Sequence, residues 1–191
     1  KLYLAGKLTN ARKEFDTGRN SFNLAMGSSD FYDWLRENPD LFRPDSIDYI
    51  HDPARIGKLS RVISINGGVQ VDLMGQENAE SANGMQLSGI GGQMDFLEGA
   101  FRSAGGCGYI CINSSRLTKD GVRKSNILPF IPGGSTVSAP RTLIEAVATE
   151  YGIAHLAGKS LAERREAMIA IAHPDFRDAL RLEKPDLSLF L

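Results

Sequence analysis

The sequence predicts an α/β fold in which an open, mixed or mainly parallel sheet is flanked by helices. Two observations carry this expectation. Segments with helical apolar spacing alternate with short β-like runs along the chain, the pattern that puts helices on the faces of a sheet. Turn residues are evenly scattered, and no internal repeat or low-complexity linker is visible, which favours one compact domain. With 42% hydrophobic residues among 191, the chain is long enough and apolar enough for a substantial core.

The elements follow in order. "SSDFYDWLRENP" predicts a first helix, with Ser29 as cap, Phe31, Trp34 and Leu35 at helical spacing, and Pro39 beyond its end. "IDYI", Ile47 to Ile50, reads as a short strand. "DPARIGKLS" has Asp52 as N-cap and Pro53 at the first helical position. "RVISINGGVQVDL" alternates apolar and polar residues around Gly67-Gly68, the signature of paired strands with a tight turn. Asp72 closes a turn or pairs locally, and "QENAESANG" follows as a polar loop. Met94, Leu97 and Phe101 then start a helix near Gln93. "GYICIN" and "NILPFIP" read as strands, and so do "AVATE" and "GIAHL", where His155 is expected half-buried beside the sheet. Ser160 and Glu163 form a capping box for the clearest helix. His173-Pro174 breaks it, with His173 as a helix-end residue in a capping role, and "DFRDALRL" restarts a helical turn.

Composition removes some functions. A formal net charge of -1 gives no bulk attraction to nucleic acid or to an anionic membrane, so any anion site must be local. No apolar run approaches the ~20 residues of a membrane span. Neither nucleic acid nor membrane is therefore expected as a partner. Cys107 and Cys111 are too few for a four-ligand zinc site, and His51, His155 and His173 are dispersed, so no metal is expected. Two unpaired thiols suit a reducing compartment, hence a cytoplasmic location. The opening "KLYLAG" starts in mid-pattern, without Met, and reads like a cut inside a longer protein.

The chemically informative stretch is "SGIGGQMDFLEGA", residues 88–100. Glycine lets a ligand approach the backbone closely. A glycine run that feeds a helix aims several unpaired N–H groups one way, into the positive end of the helix dipole. A phosphate fits there, and so does an oxyanion formed during acyl transfer. A tight strand-to-helix turn without ligand fits the glycine count equally. No Gly-Lys-Ser/Thr follows, so this is not a phosphate loop, and the dinucleotide fingerprint fits poorly. The Gln93 amide can donate to a carboxylate or a thioester carbonyl. Asp95 either caps the helix or touches substrate.

The stretch "SGIGGQMDFLEGAFRSAGG" resembles the glycine-glycine-glutamine signature of the acetyl-CoA hydrolase/transferase family, the class I CoA-transferases that include the acetate, butyrate and 4-hydroxybutyrate enzymes. "RPDSIDYIHDP", "INGGVQVDLMGQENAES", "TKDG" and "ATEYGIAHLAGKSLAERREAMIAIAHPDF" match in the same order, so the resemblance spans about Gly18 to Leu180. Family enzymes are longer and have two related, facing α/β halves. The resemblance implies that residues 1–191 are the C-terminal (NagB/RpiA-like) CoA-transferase domain, with 1–17 as an interdomain lead-in and the N-terminal half absent.

It also implies a mechanism. A glutamate carboxylate attacks an acyl-CoA thioester, passes through an acyl-glutamyl anhydride and becomes a glutamyl-CoA thioester, which a second carboxylate or water then relieves of CoA. Gly92 matches the residue whose backbone amide binds the oxyanion. Ser88, Gly89, Gly91 and Gln93 would line the CoA arm, and Lys119 matches a CoA-contacting lysine, with a solvated surface lysine as its alternative. The nucleophile lies before the segment like "KLYLAGKLTN". Glu77, Glu80, Glu98, Glu145 and Glu150 are candidates by type only, and Glu150 reads as structural or substrate-lining. The isolated chain should therefore not turn over. No permanently bound cofactor is implied; coenzyme A and acyl-CoA are substrates. The implied partners are short carboxylates, the chain's own N-terminal half and a second copy in a homo-oligomer. The rivals are an acetyl-CoA hydrolase of the same family and a non-catalytic CoA- or nucleotide-binding module.

Overall fold

The computed structural model describes residues 1–82 and 84–183. After an irregular lead-in, β1 (Asn20–Phe22) is followed by α1 (Ser29–Glu37), a 3-10 turn (Pro39–Leu41) and β2 (Phe42–Pro44), which pairs with β1 in parallel. Ser28, not Ser29, caps α1: its Oγ accepts from the Phe31 N–H at 3.4 Å. Trp34 on α1 packs edge-on against Phe42 and stacks on Phe31, which seats the helix over this ribbon. Ile47–Ile50 is one turn of helix, α2, rather than a strand. Ser46 stands at its N-cap position and Asp48 in its first turn, where a carboxylate suits the helix dipole. The helix α3 (Pro53–Ile56) starts as expected, with Asp52 accepting from the Ala54 N–H and Pro53 at the first position.

Asp16 knits the lead-in to this block. Its side chain is buried, Arg43 Nη1 lies 2.5 Å from one oxygen and Arg55 Nη2 3.5 Å from the other. The Tyr49 hydroxyl donates to it as well, at 3.1 Å. Asp16 has φ 50°, a left-handed backbone that costs an L-residue energy and persists only where its surroundings over-determine it.

Next come β3 (Ile63–Gly67), β4 (Gln70–Asp72), β5 (Glu77–Asn78), β6 (Ser81–Ala82), β7 (Met85–Gln86) and α4 (Gln93–Arg102). The strands β3 and β4 do not form the hairpin that alternation around Gly67-Gly68 suggests. They enter different sheets: β3 pairs in parallel with β8 (Cys107–Cys111), and β4 lies between β5 and β11 (Ile127–Leu128). Hairpin alternation and a strand that leaves one sheet for another share the same period, so spacing alone could not separate them. A short ribbon of β9 (Ser115–Leu117) and β10 (Arg123–Ser125) precedes β11. "NILPFIP" contributes only the two residues of β11, because Pro129-side turns end it; β12 (Ala146–Thr149) and β13 (Gly152–His155) then form an antiparallel pair.

The main sheet has the order β13-β12-β8-β3, with β3, β8 and β12 parallel and β13 antiparallel at the edge. The expected mixed, largely parallel sheet is therefore present. Helix α4 crosses back between β3 and β8 and buries Leu97, Gly99 and Ala100. Gly99 admits Ile56 of α3 at van der Waals range; a Cβ there would overlap that side chain. Helix α5 (Leu161–Ala170) carries the predicted capping box of Ser160 and Glu163, and His173 accepts from the Asp175 N–H to cap α6 (Pro174–Leu182). Leu97, Ile110, Ile127, Ile144, Val147, Leu156, Met168 and Ile169 make one contiguous core under the sheet. His155 is exposed, not half-buried: Ala154 on β13 and Leu156 just past it take the buried positions.

Candidate functional site

In a parallel crossover the helix returns antiparallel to its strands, so the N-terminus of α4 lies at the carboxyl ends of β3 and β8. Beyond those ends, Gly68, Cys111, Ile112, Asn113, Ala148 and Thr149 line an open cleft of about 420 Å³. Ligands in open α/β sheets bind outside the carboxyl ends of the strands.

Gly92 is the N-cap of α4, and no side chain caps the helix. Among the described residues, the backbone N–H groups of Gly89, Gly91 and Gly92 have no hydrogen-bond acceptor. Ser88, Gly89 and Gly91 are exposed, and Gly91 has φ 60°, the left-handed region that favours glycine. Upstream, the Leu87 and Ser88 amides are tied to the Glu80 carbonyl, which fixes where the open run begins. Gly92 is glycine for a local reason. The space a Cβ would take is filled by the His51 ring. That ring packs edge-on against Phe96, with Nε2 3.3 Å from Asn23 Oδ1 and Nδ1 3.5 Å from Asp95 Oδ2. Of the two readings of Asp95, capping is not seen among the described residues; its Oδ2 faces His51 Nδ1.

Gln93 turns inward. Its Nε2 donates to Glu77 Oε2. Glu77 is wholly buried, and its Oε1 is the buried side-chain oxygen left without a partner among the described residues. Burial pushes the Glu77 carboxyl up to about 7, the Gln93 bond opposing and the Glu80 charge adding to the rise. Around it, the supposed polar loop is a buried network. Asn78 Nδ2 donates to the Ser81 carbonyl at 2.7 Å, Asn78 Oδ1 accepts from the Ser81 N–H at 2.9 Å, and Ser138 Oγ donates to Glu80 Oε2 at 2.7 Å. A polar run this well satisfied can be buried without large cost.

The other glutamates are engaged locally. Glu150 accepts from the Ser114 N–H and Oγ at 2.9 and 2.6 Å. Glu145 accepts from the Gly108 N–H at 2.9 Å, and Glu98 pairs with Arg102 one turn on. Asp72 closes its turn as expected, accepting from the Met74 and Gln76 amides at 2.9 Å and from Gln76 Nε2 at 2.8 Å. Lys119 lies on a different element from the glycine stretch. It is exposed in the turn between β9 and β10, without a hydrogen bond or ion pair among the described residues. The cysteines are free and share one face of β8, Cys107 half-buried and Cys111 exposed at the cleft; only the opposite face of that strand, with Gly108 and Ile110, is fully covered. Ser88, Gly89, Gly91, Gly92 and Gln93 stand in one stretch at the head of α4, whereas sequence reasoning gives His51 no role and Glu77 only a candidacy by residue type. His51 stands in "HDP", a turn signal, and Glu77 lies in a run of polar residues; neither has a periodicity that marks it.

A family model described as the acetyl-CoA hydrolase/transferase C-terminal domain matches residues 27–184. The chain is 44% identical over 176 residues to the butyryl-CoA:acetate CoA-transferase of Anaerostipes caccae, covering 92% of this chain and 39% of that protein. It is 42% identical over 182 residues to the 4-hydroxybutyrate coenzyme A transferase of Clostridium kluyveri, covering 95% of this chain and 42% of that protein. The crystal structure of RipA from Yersinia pestis superposes with a TM-score of 0.82 at 41% identity, over 94% of this chain and 40% of that one. The chain thus spans well under half the length of these proteins.

Proposed function

The chain belongs to the acetyl-CoA hydrolase/transferase family, as its C-terminal domain, and from that premise we propose that it is one half of an enzyme moving CoA between a short-chain acyl-CoA and a carboxylate. The observation that carries this is the set of open amides at Gly91 and Gly92, at the uncapped N-terminus of α4 and the carboxyl edge of the sheet. Attack on a thioester carbonyl puts negative charge on its oxygen. Preorganised N–H donors stabilise that charge without reorganising, and one such donor is typically worth about 3–4 kcal/mol. The Gly92 N–H is assigned this role. The bare backbone of Gly89 and Gly91, with Ser88 beside it, would let the thiol arm of CoA lie against the chain. Lys119, a point charge on a flexible stem, would meet a CoA phosphate.

The attacking carboxylate is assigned to a residue outside residues 1–191. The resemblance implies that placement; the local bonds of Glu80, Glu98, Glu145 and Glu150 and the burial of Glu77 are consistent with it. Glutamyl-CoA would then form only on the whole protein. Its trapping by hydroxylamine or borohydride during turnover with butyryl-CoA tests this, and an adduct on residues 1–191 alone would overturn it. Measuring free CoA release with and without acetate separates transfer from hydrolysis, since a site that admits water consumes the thioester without an acceptor. A protein that binds CoA but leaves every thioester intact would be a binding module instead.

A further inference from the structure

Glu77 is a poor choice for stability. Among the described residues one carboxyl oxygen has a single partner and the other has none, at zero exposure. A buried carboxyl oxygen without a partner carries its desolvation cost uncompensated. Its backbone is nonetheless fixed on both sides: the N–H donates to the Ala139 carbonyl at 3.0 Å, and the carbonyl accepts from the Ser138 N–H at 2.8 Å. The carboxyl is thereby held between two parts of the site. Oε2 takes the Gln93 amide, one residue past Gly92. Oε1 lies under Gly68 at the cleft, where an added Cβ would sit 2.5 Å from it.

Resting on the reading above, we propose that Glu77 is a positioning residue for Gln93, and that its proton selects which end of the Gln93 carboxamide faces away from it. The logic is one of donors and acceptors. An ionised carboxylate only accepts, so the nitrogen of Gln93 must face it and the carbonyl oxygen is left outward. A protonated carboxyl both donates and accepts, so it is equally satisfied by the reversed amide. Then the Gln93 N–H groups point outward and join Gly92 as donors to a developing oxyanion. The titratable groups nearby are few. Glu80 adds negative charge beside Glu77; His51 and Asp95 meet at the same end of α4. With the carboxyl raised to about 7, the selection falls within the range in which the enzyme would work. The sign is definite: as pH rises through about 7 the proton leaves, the outward donors are lost and kcat falls.

The test uses the whole protein and the variants Glu77→Gln, Glu77→Val and Gln93→Ala. Wild type should lose about tenfold in kcat across this step, less than the 10²–10³ of a deleted oxyanion donor. Glu77→Gln, which like a protonated acid both donates and accepts, should hold the acid-side rate with no step. Glu77→Val should lose rate at every pH while its melting midpoint holds or rises, a split that a merely structural residue would not show. Infrared difference spectra between about pH 6 and pH 8 should show a buried carboxylic C=O band disappearing on ionisation; it should be absent in Glu77→Gln and shifted in Gln93→Ala. An unchanged step in Glu77→Gln, no such band in wild type, or a Glu77→Val protein as destabilised as it is inactive would each overturn the proposal. If the whole protein transfers no CoA at all, the functional reading fails, and the infrared and melting measurements still decide this one.

Discussion

Replacing Gly92 by alanine probes the site at one carbon atom. The Gly92 backbone, φ -90° and ψ 9°, is open to alanine without strain, so the cost is one of space. The new Cβ would fall inside the His51 ring. That ring cannot move freely: Asn23, Asp95 and the edge of Phe96 hold it, and it is largely buried. Overpacking of this kind costs about 1–3 kcal/mol, and the lower chain entropy of alanine returns about 0.4–1 kcal/mol. The net loss is up to about 2.6 kcal/mol and centres near about 1 kcal/mol, a drop of about 2–4 °C in melting midpoint at that centre for a domain of this size. Activity should suffer far more. The clash is relieved by moving either His51 or the Gly92 amide, and the loss of one oxyanion donor lowers kcat by about 10²–10³. The assay pairs thermal melting with CoA transfer from butyryl-CoA to acetate in Gly92→Ala and in Gly92→Ala/His51→Ala. Removal of the ring should restore the melting midpoint. A Gly92→Ala protein with unchanged midpoint and unchanged kcat would refute both the seating of His51 and the role of the amide.

Three further outcomes follow from the same geometry. Asp72→Ala should destabilise by about 1–3 kcal/mol in urea melts, because it leaves the Met74 and Gln76 amides of a largely buried turn without their acceptor. Alkylation followed by mass spectrometry should label Cys111 before Cys107, since burial, with Glu145 beside it, pushes the Cys107 thiol up; CoA should protect Cys111, which lines the cleft. For Glu150, burial raises the carboxyl's affinity for protons, but the Ser114 hydroxyl and amide bonds outweigh it and leave the group below its ordinary value. A depressed carboxyl stabilises the fold above its unfolded value, and that stability is lost as pH falls through the folded one. Melting midpoints taken downward through the carboxylate range should therefore fall less steeply in Glu150→Gln than in wild type.

Much of the fold is legible in the sequence where a local rule acts alone. The capping box at Ser160, Pro53 after Asp52, and the helix start at Gln93 each depend on residues a few positions apart, and each stands where the pattern puts it. The misreadings occur where partners are remote. Alternation in "RVISINGGVQVDL" is real, but β3 finds its neighbour forty residues on, in β8, and no local feature reports that. Ile47–Ile50 has strand-like composition yet takes a helical turn, held in place by Tyr49 against Asp16. The site divides the same way. A glycine run before a helix shows itself, whereas Glu77 and His51 gain their meaning only when the crossover brings them to the head of α4.

The arginine pair around Asp16 has an effect at a distance. Tyr49 and Arg55, which bind that carboxylate, bracket His51 in the chain. A neutral side chain at position 16 would leave Arg55 without its carboxylate partner and Arg43 with Asp45 alone, and would loosen the short helical block between them. The imidazole would then no longer be pressed on Gly92. Damage so far upstream should register first as slower chemistry, before any change in overall folding.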